Sequence, residues 1–286
     1  MVIRGPTLKL PTGAEMPAVG LGTWLSKPNE VGNAVRLALN CGYRLIDTAE
    51  FYDNEKEIGD VLREYTDSGK LERKDVFITT KCFCTHFQPE KMKAAAKESL
   101  KKLQLSYVDL YLAHAPAALN EDKTIPEHPV TVEQIWQGLE NVYESGFAKA
   151  IGVSNFNIQQ LERILKVAKV PIHNLQVECS LYLPQFELAE FCKKNNISFT
   201  CYSPLGSPGS DFASKQTPTP LEDQSAKRFA EKYHKTPAQV LIRYLIQRGF
   251  SAIPKSVNKK RIEENWNVSC CLIIIASTLT ARLVFG

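Results

Sequence analysis

The chain has 286 residues, with 35 Lys and Arg against 31 Asp and Glu, a net charge of +4 at neutral pH. Hydrophobic residues at 44% and charged residues at 23% are the balance of a folded globular protein and exclude a disordered or low-complexity chain. The charge is too mild for a nucleic-acid-binding or membrane-binding surface, and the length suits one α/β barrel.

In chain order, residues 7–10, a Pro-Thr-Gly-Ala turn and residues 15–17 read as a β-hairpin placed to plug the bottom of a barrel. Short apolar runs, the pattern of strands covered on both faces, then alternate with helical patterns. A strand at 19–22 is followed by a helix at 31–41, apolar at Val31, Ala34, Leu37, Ala38 and Cys41. A strand at 44–49 precedes a helix at 55–65, and a strand at 76–82 precedes a helix at 89–103 that opens on Pro89. The strand at 108–114 leads to a helix at 131–145, with Thr131 as N-cap and Gly146 as its stop. Strands at 150–154, 175–179, 198–203 and 251–254 follow, with helices at 157–168, 185–195, 237–247 and 258–266; Thr236 caps the third of these helices. Eight alternations in this length predict a (β/α)8 TIM barrel over residues 1–286, without a linker that would divide it into domains.

Eight cysteines invite a disulfide framework, but no apolar leader opens the chain: Arg4, Lys9 and Glu15 fall within residues 1–17. A reduced, cytoplasmic protein is expected. Cys82-Phe83-Cys84 lacks the spacing and the second cysteine pair of a zinc site, so no metal is expected. Gly20-Leu21-Gly22 lacks the third glycine of the dinucleotide fingerprint and no Walker A run occurs, so a nucleotide would be held by other means.

The site of such a barrel lies at the C-terminal ends of its strands. The polar residues there are Asp47 and Tyr52, Lys81, His114, Ser154 and Asn155, Gln176 and Glu178, Tyr202 and Ser203, and Lys255 and Ser256. Each alone has an ordinary structural explanation, as a turn cap, a surface lysine or a packed histidine. Asp47, Lys81 and His114 fall on successive strands and so face one mouth, and a buried lysine needs a carboxylate. A phenol is too weak an acid for neutral pH, and an adjacent ammonium is expected to lower its pKa. Tyr52 then serves as a general acid toward a carbonyl oxygen that His114 holds in place.

Four runs bear a resemblance to the aldo-keto reductase family, over about residues 5–267: Gly42-Tyr-Arg-Leu-Ile-Asp47-Thr-Ala-Glu-Phe-Tyr52-Asp-Asn-Glu55, Asp109-Leu-Tyr-Leu-Ala-His114, Ala150-Ile-Gly-Val-Ser-Asn-Phe156, and Ile253-Pro-Lys-Ser-Val257 with Arg261 and Asn265. The resemblance implies a TIM barrel reducing aldehydes and ketones with NADPH, as a monomer acting on a small carbonyl substrate. Asp47, Tyr52, Lys81 and His114 match the family's catalytic tetrad. Ser154, Asn155 and Gln176 match the residues that hold the nicotinamide carboxamide, Tyr202 the ring that stacks on the nicotinamide, and Gly22, Thr23 and Trp24 the turn beside cofactor and substrate. Ser203, Leu205 and Ser207 match the loop over the pyrophosphate. Lys255 and Arg261, with Ser256, Val257, Glu264 and Asn265, match the surroundings of the adenosine 2′-phosphate, contacts that NADH cannot make.

The chain departs from the family pattern in two places. Phe83, Ala115 and Phe212 stand where many members carry Trp, which predicts a wider substrate pocket lined also by Trp24, Tyr52 and His114. After Val268, the apolar run through Gly286 replaces the usual ending that forms a loop over the barrel mouth. It is too short for a membrane helix and Arg282 interrupts it. A second reading therefore stands beside the enzyme: a cofactor-binding barrel of weak activity, acting as a redox-sensing or structural subunit.

Overall fold

A computed structural model of the protein describes residues 5–208 and 218–268. The expected hairpin pairs β1 (Thr7–Lys9) with β2 (Glu15–Pro17) in antiparallel register, Leu8 opposite Met16. Leu10 and Met16 pack with Leu45, Phe77, Leu110, Leu112, Ala150 and Ile253 in a cluster that fills the lower barrel.

Eight parallel strands follow in sequential order: β3 (Leu21–Gly22), β4 (Leu45–Asp47), β5 (Phe77–Cys82), β6 (Leu110–Ala113), β7 (Ile151–Ser154), β8 (Asn174–Glu178), β9 (Ser198–Tyr202) and β10 (Ser251–Ala252). Bridges Val19↔Ala252 and Gly22↔Lys255 join the first strand to the last and close the sheet. The Gly20 N–H donates to the Ala252 carbonyl at 3.0 Å and the Ala252 N–H to the Ala18 carbonyl at 2.9 Å. The two glycines serve this seam. A Cβ on Gly22 would lie 2.5 Å from the Ile253 carbonyl oxygen, and one on Gly20 would lie 2.5 Å from Leu45 Cγ. Their spacing thus reflects barrel closure and interior packing rather than a phosphate loop.

The helices wrap the barrel by one apolar face each. They are α1 (Val31–Cys41), α2 (Glu55–Asp67), α3 (Pro89–Leu103), α4 (Val132–Glu144), α5 (Ile158–Leu165), α6 (Phe186–Lys194), α7 (Gln224–Tyr233), α8 (Pro237–Gln247) and α9 (Lys259–Trp266). In α4 the buried face is Val132, Ile135, Trp136, Leu139 and Val142, the 3.6-residue stripe. Thr131 caps it: its hydroxyl accepts from the Gln134 N–H while the Gln134 side chain accepts from the Thr131 N–H. The helix stops before Gly146 at φ +72°, as expected.

α7 was not expected from the sequence. Asp223 caps it by accepting from the N–H groups of Ser225 and Ala226, and Ala226, Phe229 and Ala230 are buried. The expected strand 44–49 is shorter, because the chain turns into a tight helical turn at Glu50–Tyr52. The described cysteines are free thiols. Among the described residues no helix is long and apolar enough to cross a membrane, and no group of side chains could hold a metal ion. Phe212 and the apolar run from 269 to 286 lie outside the described residues.

Candidate active site

The C-terminal ends of the strands open into a cavity of about 650 Å³. Every cofactor residue named from the sequence lines it, from Gly22, Thr23 and Trp24 through Asp47, Ser154, Asn155, Gln176, Tyr202, Ser203, Leu205 and Ser207 to Lys255, Ser256, Val257, Arg261, Glu264 and Asn265. Tyr52 and His114 line it too. The topology brings these residues together, since each follows or ends a strand of one closed sheet.

Lys81, inside β5, is buried to 1% exposure and sits at the centre. Its Nζ donates to Asp47 Oδ1 at 2.5 Å, to the Thr48 carbonyl at 2.9 Å and to the Tyr52 hydroxyl at 3.3 Å, using all three donors of the ammonium. Asp47 ends β4 and is itself buried. Its other oxygen, Oδ2, accepts from Gln176 Nε2 at 2.7 Å. Backbone ties fix the same corner: the Thr23 hydroxyl donates to the Asp47 carbonyl at 2.9 Å, Asn54 Nδ2 to the Thr23 carbonyl at 3.0 Å, and the Thr48 hydroxyl to Asn54 Oδ1 at 2.6 Å.

The His114 ring lies edge-on to Tyr52, with centroids 5.5 Å apart. Asn155, in the left-handed region at φ +67°, donates to the His114 carbonyl at 2.9 Å and to Ser154 Oγ at 3.1 Å, and its Oδ1 accepts from the Tyr202 hydroxyl at 2.8 Å. The amide residues and the reacting corner are thus one hydrogen-bonded assembly.

Burial sets the electrostatics. Desolvation raises the Asp47 carboxyl above the usual carboxylate range, against the opposing pull of Lys81 and Gln176. Desolvation pulls the Lys81 ammonium down, but Asp47 and Tyr52 outweigh it and its pKa rises. For Tyr52, burial raises the phenol above its ordinary value, and Asp47 adds to this while Lys81 opposes. The expected lowering by Lys81 is therefore present but does not win: the phenol stays protonated at rest. His114 is pushed down to about 3, by burial and then by Lys81, and is neutral. Its Nδ1 is buried with no hydrogen-bond partner among the described residues.

The far end of the cavity is basic. Lys255 Nζ reaches back across the mouth to the Leu25 carbonyl at 3.1 Å. The Ser256 hydroxyl accepts from the Asn258 N–H at 3.1 Å, and Asn258 caps α9 through the Arg261 N–H at 3.1 Å. Between the two ends, Ser203, Gly206 and Ser207 all adopt positive φ, and the Ser207 hydroxyl donates to Ser203 Oγ at 2.5 Å. Of the expected substrate residues, Trp24, Tyr52 and His114 line the cavity. Phe83 and Ala115 do not line it: Phe83 is stacked on Phe51 at 4.4 Å with 12° between planes, and Ala115 packs against the hydrophobic core. Phe51, also on the cavity wall, was missed from the sequence although it directly precedes Tyr52. The two stacked rings present edges to His114 at 6.2–6.3 Å.

Comparisons with known proteins identify the family and the fold. The model of the Aldo/keto reductase family matches residues 18–272. Aldo-keto reductase family 1 member A1-A of Danio rerio is 46% identical over 273 residues, which cover 92% of this chain and 84% of its own. The Homo sapiens member A1 is 42% identical, covering 91% and 83%. Among solved structures, the aldose reductase from Schistosoma japonicum superposes with a TM-score of 0.88 at 38% identity, covering 97% of this chain and 92% of its own. An aldo-keto reductase complexed with NADPH superposes with a TM-score of 0.90 at 36% identity, covering 97% and 87%. With a matching family model over most of its length and this shared barrel fold, the chain belongs to the aldo-keto reductase family.

Proposed function

We propose that the protein reduces aldehydes and ketones to alcohols, with NADPH as hydride source and Tyr52 as proton donor. The observation that carries this reading is the buried Lys81 ammonium, held between the Asp47 carboxylate and the Tyr52 phenol where both open onto the cavity. The donor set fits the cofactor. Ser154, Asn155 and Gln176 offer amide and hydroxyl partners for a carboxamide, Tyr202 a ring for stacking, the Ser203–Ser207 turn a cover for phosphates, and Lys255 and Arg261 two cations for a 2′-phosphate. When bound, NADPH supplies a hydride to the carbonyl carbon.

The chain's own residues handle the oxygen. A substrate carbonyl in the cavity meets the Tyr52 hydroxyl and the imidazole edge of His114, which is neutral and so can donate an N–H without competing as a charge. As negative charge develops on the oxygen, Tyr52 gives up its proton to it. The phenolate left behind faces the Lys81 ammonium at 3.3 Å, which is buried and stabilises it. Asp47 keeps that ammonium charged and in place.

The test is NADPH oxidation, followed by near-ultraviolet absorbance, with an aromatic aldehyde. The wild-type protein turns over, and Tyr52→Phe loses about 10²–10⁴-fold in kcat while retaining NADPH affinity. Binding of NADPH without turnover across a panel of carbonyls would replace this reading by that of a cofactor-binding subunit. An undiminished rate in Tyr52→Phe would remove Tyr52 as the acid.

A further inference from the structure

Gln176 lines the cavity with the amide residues, yet its side chain bonds to Asp47. It is the third residue of β8, which stands four strands from β4 in the sheet order and so opposite it in the closed barrel. Its side chain is 2% exposed and crosses the interior to donate from Nε2 to Asp47 Oδ2 at 2.7 Å. The two oxygens of Asp47 are therefore held from two sides, Oδ1 by Lys81 and Oδ2 by Gln176. The other end of the same amide, Oε1, has no partner among the described residues, and Gln176 lines the cavity.

We propose that Gln176, beyond its expected place at the carboxamide, is a positioning residue for the proton donor: it locks Asp47 onto Lys81 from across the barrel. One side chain then couples cofactor occupancy to the acid. The inference rests on the reading of the site as an NADPH-dependent carbonyl reductase.

The charged and titratable groups around Asp47 are few. Lys81 of β5 touches it, and Tyr52 lies on the far side of that ammonium. His114 after β6 and Tyr202 of β9 stand beyond Tyr52. The β3 side contributes the Thr23 hydroxyl, which does not titrate in this range, and Lys255 is engaged at Leu25 across the mouth. Removing the Gln176 donor therefore acts on Asp47 directly. Its carboxyl, already raised by burial against the pull of Lys81 and Gln176, rises further.

Two variants separate the roles. Gln176→Met removes both the donor and the acceptor. Its acid limb in kcat, where Asp47 takes up a proton, moves up by about one pH unit, so that kcat falls about tenfold on the acid side of the limb and the loss closes above it. Gln176→Glu keeps an acceptor for the carboxamide and places a second carboxyl against Asp47. Two carboxyls so close share a proton, so at about pH 5 the introduced carboxyl still donates and kcat approaches the wild-type value. As the pH rises and that proton leaves, kcat falls.

A readout without cofactor or substrate accompanies these. The thermal stability of unliganded Gln176→Met falls below that of the wild type by a margin that widens from acid to neutral pH, because the added cost is that of an ionised Asp47. NADPH affinity, measured by fluorescence quenching, weakens in Gln176→Met more than in Gln176→Glu. Wild-type pH profiles in both variants with only the NADPH affinity changed, or a stability deficit that is the same at all pH values, would overturn the inference. An inactive wild type whose stability margin still widens with pH would instead overturn the proposed activity and leave the Gln176–Asp47 link standing.

Discussion

Lys81→Met tests the electrostatic centre of the barrel without reference to any ligand. Methionine keeps the length of the side chain but none of its three donors, so Asp47 Oδ1, the Thr48 carbonyl and the Tyr52 hydroxyl lose their shared partner. Asp47 is left in a fully buried position with Gln176 as its remaining side-chain donor. Breaking a buried pair by removing one member costs about 3–5 kcal/mol, and for a chain of this size that lowers the melting temperature by on the order of 10 °C. The deficit depends on pH, and its sign follows from Asp47. Burial already holds this carboxyl above its unfolded value, and loss of Lys81 raises it further. A carboxyl raised in the folded state destabilises the fold once the pH exceeds the unfolded pKa, and the loss is complete above the folded one. The deficit is thus smallest near pH 4.5 and grows toward pH 8. Lys81 itself, with its pKa raised, is charged throughout this window and adds no slope. Thermal unfolding followed by circular dichroism over that range, for the wild type, Lys81→Met and the double variant Asp47→Asn with Lys81→Met, measures these quantities. The double variant regains a substantial part of the loss, since it no longer buries an unpaired charge. A deficit below about 1 kcal/mol, one independent of pH, or a double variant no more stable than Lys81→Met would refute the reasoning.

Two further outcomes concern the ends of the cavity. With its imidazole pushed down to about 3, His114 stays neutral from pH 5 to 8, so kcat shows no limb in that range that disappears in His114→Gln; such a limb near the ordinary histidine pKa would contradict the assignment. Arg261→Met weakens NADPH binding by about 10–100-fold, the loss of one contact between charged groups, and leaves NADH binding unchanged; equal losses for the two cofactors would remove Arg261 from the 2′-phosphate.

The alternation of strands and helices was readable because both periodicities are strong and the stops are explicit, as with Thr131 and Gly146 at the two ends of α4. α7 escaped although its signals are present: Asp223 caps it, and Ala226, Phe229, Ala230 and Tyr233 follow a 3.6-residue spacing. With α8 it makes a second helix between two strands, against the one-to-one alternation of the rest of the barrel. Asp47, Lys81 and His114 were legible because polar groups at the ends of apolar strands are conspicuous. Their mutual bonds were not. Gln176 and Asp47 are 129 residues apart, and the contact exists only because closing the sheet sets β8 opposite β4. The net direction of the Tyr52 shift escaped for a related reason: the lowering by Lys81 can be read from sequence, whereas the depth of burial that outweighs it cannot.

That depth suits a proton donor. A phenol raised by burial holds its proton at rest, so on the proposed reading the acid is loaded when a carbonyl arrives. The driving force for transfer then comes from the substrate oxygen, which becomes strongly basic as the hydride is delivered. What the site must supply is stabilisation of the phenolate at that moment, and Lys81 is placed for it. Two unit charges 3.3 Å apart attract by about 5 kcal/mol at an effective dielectric constant of ~20, several times the value in water. The attraction exists only while Lys81 remains an ammonium in a site whose burial favours the neutral amine. Asp47 on Nζ, with the Thr48 carbonyl beside it and Gln176 behind it, keeps the ammonium charged. In the proposed reaction the strength of Tyr52 as an acid is therefore a property of that chain of groups rather than of the phenol, and it develops only as the hydride is delivered.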